Sequence, residues 1–69
     1  KLWPVEIKLT STPSVYHTQP IDLFKKMAGK ESSSTGLLVC KTDRPINLPG
    51  TNTALPWVDF PDWLADVIE

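Results

Sequence analysis

Between Leu2 and Thr10 the apolar residues Trp3, Val5, Ile7 and Leu9 alternate with Pro4, Glu6 and Lys8. This period of two is that of a pleated strand, so Glu6 and Lys8 share one face of it. The stretch Ser11 to His17, rich in Ser, Thr and Pro, predicts a turn or extended loop. A helix is expected from about Pro20, with Thr18 or Gln19 at the cap position. Its first turn tolerates a proline, because the missing N–H would have no intrahelical partner there. Ile21, Phe24 and Met27, with Leu23 beside them, form the apolar stripe, Lys25 and Lys26 project elsewhere, and Gly29 ends the helix. After the polar loop Lys30 to Thr35, the run Leu37-Leu38-Val39-Cys40 suits a strand buried on both faces. Strand, helix and buried strand together predict a parallel βαβ crossover.

The remaining apolar positions come as Ile46 and Leu48, then Ala54, Leu55 and Trp57, separated by Pro49, Gly50, Thr51 and Asn52. That spacing predicts a hairpin with a loop of several residues. Asp59 can cap a closing helix whose first turn holds Phe60 and Pro61, and whose apolar face carries Trp63, Leu64, Val67 and Ile68. The pattern describes one α/β unit over residues 1–69 in the order β-α-β-β-β-α. Because the chain is already strand-like at Leu2, directly after Lys1, it is expected to be a fragment of a larger protein. At 69 residues it can bury only a modest core.

Composition narrows the functional classes. Lys and Arg number 7 against 8 Asp and Glu, a formal net charge of -1, which argues against a uniformly basic nucleic-acid surface and leaves room for a local basic face. The longest apolar run, Leu37 to Cys40, falls far short of the roughly 20 residues needed to cross a bilayer. Cys40 is the single cysteine, so the chain can form no internal disulfide and supplies no cysteine zinc set, which fits a cytoplasmic setting. A buried, inert thiol is expected there. The lone histidine, His17, is expected to be a solvated loop residue, and Trp57 and Trp63 are expected to pack in the core or hairpin rather than stack on bases.

Only Glu6-Ile7-Lys8 has the makings of a catalytic constellation. A carboxylate can ligate Mg²⁺ or Mn²⁺, and an ammonium two residues on can stabilise the charge building on a scissile phosphate. On spacing alone, such a pair on a strand reads as a solvated face.

The strand Val5-Glu6-Ile7-Lys8, the segment Ser11-Thr12-Pro13-Ser14, the strand Gly36-Leu37-Leu38-Val39, the hairpin around Ile46-Asn47-Leu48-Pro49 and the ending Ala54-Leu55-Pro56-Trp57 occur in that order. Together they resemble the carboxyl-terminal domain of unknown function that follows the ATPase module in many bacterial and archaeal AAA-type ATPases. The E-x-K strand with its βαβ return also resembles the second half of the PD-(D/E)XK nuclease core. The resemblance covers about Trp3 to Trp57 and implies a restriction-endonuclease-like fold. It makes Glu6 a candidate metal ligand for Mg²⁺ or Mn²⁺ and Lys8 a candidate catalytic lysine. ATP would be bound by a separate amino-terminal module, since no G-x-x-x-x-G-K-[ST] loop occurs here.

In that core an upstream aspartate completes the site, and it would precede Lys1. The fragment by itself is therefore expected to be inactive. The expected function is a non-catalytic, nuclease-like module that binds DNA or a protein partner for the ATPase. Half of a metal-dependent DNA phosphodiesterase site is the alternative. A docking or oligomerisation module built on the closing hairpin and helix is the second alternative.

Overall fold

A computed structural model describes residues 1–68. Strand β1 (Val5–Ile7) leads through a 3-10 turn (Val15–Thr18) into helix α1 (Gln19–Ala28), and a further 3-10 turn (Gly29–Glu31) leads to strand β2 (Gly36–Cys40). Strands β3 (Ile46–Leu48) and β4 (Asn52–Pro56) form the hairpin, and a 3-10 turn (Trp57–Asp59) runs into helix α2 (Phe60–Ile68). The protein is thus a mixed α/β unit with the expected element order. The sheet order is β1-β2-β4-β3. β1 and β4 both pair parallel with β2, and β3 pairs antiparallel with β4.

Register and alternation assign the two faces. Pairing of Glu6 with Leu38 and of Leu38 with Ala54 places these residues, with Gly36, Asn52 and Cys40, on one face. Helix α1 covers that face, as the approach of Ile21 to Gly36 requires. Leu37, Val39 and Leu55 form the core of the other face, and Phe60 and Trp63 of α2 pack against it. Phe60 and Trp63 stack at 5.8 Å, and Trp63 meets Trp3 edge-on at 5.4 Å. All of β2 is buried, as expected of a central parallel strand between two helical layers.

Helix α1 begins after Thr18 and ends at Gly29, whose positive φ of 57° is one that glycine adopts far more readily than other residues. The segment before it departs from expectation. Val15–Thr18 is a helical turn, and His17 is half-buried within it, its Nδ1 accepting the Ser14 backbone N–H at 3.0 Å. Thr18 is fully buried because its hydroxyl donates to the Val15 carbonyl at 2.8 Å, which leaves no polar atom unmet.

The hairpin loop is Pro49, Gly50 and Thr51, with φ of 77° at Gly50 and 60° at Thr51. A β-branched residue is strained in that region, so Thr51 needs holding. Lys25 supplies it: Nζ donates to the Gly50 carbonyl at 2.8 Å, to the Thr51 carbonyl at 3.4 Å and to Asn52 Oδ1 at 2.8 Å. Buried Asn52 donates Nδ2 to Asp22 Oδ1 at 2.9 Å and to the Pro49 carbonyl at 3.0 Å. Gly36 lies beneath this cluster, where a Cβ would run into Asn52 Oδ1 and Ile21 Cγ2.

The alternating apolar residues of β1 are more exposed than a packed strand implies. Ile7 is 62% and Leu9 85% exposed, whereas Glu6 is half-buried under α1. The reason is position: β1 is an edge strand, and α2 covers only the centre of its face. Leu64 of α2 is itself exposed, while Val67 is half-buried; the side chain of Ile68 and all of Glu69 lie outside the described residues.

Asn52→Ala removes three hydrogen bonds from a buried site and should lower unfolding free energy by about 1–3 kcal/mol in urea titration. Gly36→Ala should cost a similar amount, about 1–3 kcal/mol, through overpacking. A change under roughly 0.5 kcal/mol in both would show that the cluster does not hold the fold.

Candidate functional site

The three strands of the parallel set end side by side, and the residue following each is exposed: Lys8 after β1, Lys41 after β2 and Trp57 after β4. Strand direction explains why they gather. In parallel sheets all carboxyl ends lie at one end of the sheet, where the chain leaves the ladder, and open α/β sheets bind their ligands there. Here Lys8, Lys41 and Trp57 border a cavity of about 420 Å³, with Ile7, Leu9 and Phe60 as apolar walls.

Cys40 borders this cavity but is only 2% exposed, and its thiol lies 3.8 Å from the Thr42 hydroxyl. The expectation of a buried thiol therefore matches its position. Trp63 also packs as expected, stacked on Phe60. Trp57 does not. It is 61% exposed, because β4 ends at Pro56 and the following turn carries the indole outward before α2 returns to the sheet.

Glu6 and Lys8 fall on the same side of β1 by alternation, yet they line different spaces. Glu6 borders a second cleft of about 300 Å³ beneath α1, walled by Pro4, Pro20, Ile21 and Phe24. Among the described residues, no group of three or more His, Cys, Asp or Glu side chains is gathered to hold a metal ion. One half-buried carboxylate does not meet the several oxygen ligands that Mg²⁺ or Mn²⁺ requires, so these residues alone do not fit such a cation. His17 is turned to backbone hydrogen bonding and is not part of either space.

Lys41 was not singled out by motif. Its signal lay in topology: it directly follows a strand buried along its whole length, the central position of a parallel sheet. No helix among the described residues is long and apolar enough to cross a membrane. Comparison with protein-family models, with curated proteins and with solved structures finds no match to this chain.

Trp57 should dominate the quencher-accessible part of tryptophan emission. Trp57→Phe is expected to remove the largest share of iodide-sensitive fluorescence, with Trp3 supplying the rest, while changing the unfolding free energy by no more than about 0.5 kcal/mol, the range usual for surface substitutions. Unchanged quenching would place the indole inside the core.

Proposed function

We propose that this domain is a non-catalytic, nuclease-like module that binds nucleic acid through the carboxyl ends of its parallel strands, within a larger AAA-type ATPase of the prokaryotic cytoplasm. One observation carries the reading: an exposed indole and two lysines border a single, mainly apolar cavity at that end of the sheet. Such a set suits a nucleotide, with phosphates drawn to Lys8 and Lys41 and a base laid on Trp57, since stacking is tolerant of sequence and phosphate contacts are electrostatic. The near-neutral net charge fits weak, local contact rather than a wide basic groove.

The order of the motifs from Val5 to Trp57 and the β1-α1-β2 parallel crossover support the nuclease-like restriction-endonuclease relationship, and with it an ATP-binding module elsewhere in the polypeptide as the partner. The division of Glu6 and Lys8 between two clefts favours binding over cutting. The second reading keeps Glu6 as metal ligand and Lys8 as catalytic lysine, completed by a carboxylate outside these residues.

Fluorescence anisotropy with a labelled oligonucleotide tests the first reading. Binding should weaken as salt rises, and Trp57→Ala and Lys41→Ala should each weaken it about tenfold. Binding indifferent to both substitutions would remove this cavity from consideration. Incubation of the intact polypeptide with DNA and Mg²⁺ or Mn²⁺ tests the second: no cleavage is expected, and cleavage abolished by Lys8→Ala would establish an active site on β1.

A further inference from the structure

The cavity at the carboxyl ends of the parallel strands is built by pairing that runs on past them. Lys8 N–H donates to the Val39 carbonyl at 3.0 Å and Lys41 N–H to the Thr10 carbonyl at 2.8 Å. The pairing of Ile7 with Val39, carried two residues on, sets Leu9 beside Lys41. On the other side of β2, Pro56 pairs with Cys40, so Trp57 follows β4 as Lys41 follows β2. Leu9, Lys41 and Trp57 thus form one row across three parallel strands, about 4.8 Å apart from strand to strand, and all three border the cavity. By alternation the row continues the face of Val39 and Leu55, on which Phe60 packs. It holds one ammonium group between two exposed apolar side chains, Leu9 and Trp57.

Two properties of this row limit what it can hold. The first is polarity. Among the described residues, those bordering the cavity include no Asn, Gln, Ser, Thr, Asp or Glu, and the Lys8 and Lys41 backbone N–H groups are taken by the ladder. The Cys40 thiol is directed to Thr42. Little is left to read the edge of a base, whereas the indole offers a face for stacking. The second is charge. Lys8 and Lys41 border the cavity, but Asp43 and Asp59, both exposed, stand two residues from Lys41 and Trp57 in the chain. A duplex lays a dense array of phosphates on any surface it covers and would meet those carboxylates. Its bases are also stacked on both faces, out of reach of an indole unless one is extruded.

Resting on the reading that this cavity binds nucleic acid, we propose that its ligand is an unpaired base with its phosphate, in a single strand of DNA or RNA and not in a duplex. The base lies on Trp57 against the apolar wall of Ile7, Leu9 and Phe60, and the phosphate meets Lys41. A cavity of about 420 Å³ is of the size that takes one small ligand, so one base enters and its neighbours along the strand stay outside. Contact is confined to one or two phosphates, and binding is tolerant of sequence.

Fluorescence anisotropy with the full chain tests this, using a labelled strand of about ten nucleotides, the same strand annealed to its complement, and an abasic strand of the same length. The single strand should bind at least about tenfold tighter than the duplex, and removal of the bases should cost about tenfold. Its log affinity should fall with log salt at a slope between about -0.7 and -1.4, the values for one and two phosphates of a single strand. Tryptophan emission should drop on binding, and Trp57→Phe should abolish the drop. DNA and RNA strands run side by side identify which source is preferred. A duplex that binds as tightly as the single strand, or an abasic strand that binds as well as the intact one, overturns the proposal and leaves the nucleic-acid reading standing. Absence of binding by strand and duplex alike overturns both.

Discussion

The side-chain amide of Asn52 is the point on which the fold depends. It is buried where the first turns of α1, the start of β4 and the hairpin loop meet, and it satisfies all three with one group: Nδ2 to Asp22 and the Pro49 carbonyl, Oδ1 to Lys25. A buried amide is tolerated only when its hydrogen bonds are made, so the cluster specifies a single placement of helix against hairpin. Gly36 is a condition of it, since any side chain there would displace Asn52 or Ile21. The strained φ of Thr51 is held by the same lysine, together with the Gly36 N–H on the Thr51 carbonyl. In a domain this small, a polar clamp supplements a modest core, with Leu37, Val39 and Leu55 on one face of the sheet and Ile21, Leu38 and Ala54 on the other.

With α1 held over one face by the clamp and α2 packed on the other through Phe60 and Trp63, exposure follows from coverage. β2 and β4 lie at the centre and are buried almost throughout, while β1 at the edge is half covered. Its apolar side chains reach water for that reason and not because the strand is polar.

The same topology gathers Lys8, Lys41 and Trp57, which are far apart in sequence. Each is the first residue beyond a strand of the parallel set, and parallel direction brings those ends together. Glu6, one step back along β1, is carried instead beneath α1. A carboxylate and an ammonium two residues apart can thus serve different surfaces, and spacing alone does not reveal this.

Local pattern determined much of the architecture. The alternation around Glu6, the unbroken run Leu37 to Cys40, Pro20 and Gly29 at the ends of α1, and the loop residues Pro49 to Thr51 mark the elements and the parallel crossover, because strand, helix and turn preferences act over a few residues. The buried place of Cys40 and the packing of Trp63 were legible for the same reason. The outward Trp57, the structural use of His17, the role of Lys41 and the Asn52 clamp were not. Each depends on which strand is central, which is at the edge and where a helix stops covering the sheet. Those are properties of long-range pairing: the sequence by itself states that a residue is apolar or charged, and only the tertiary structure decides whether a neighbour is there to meet it.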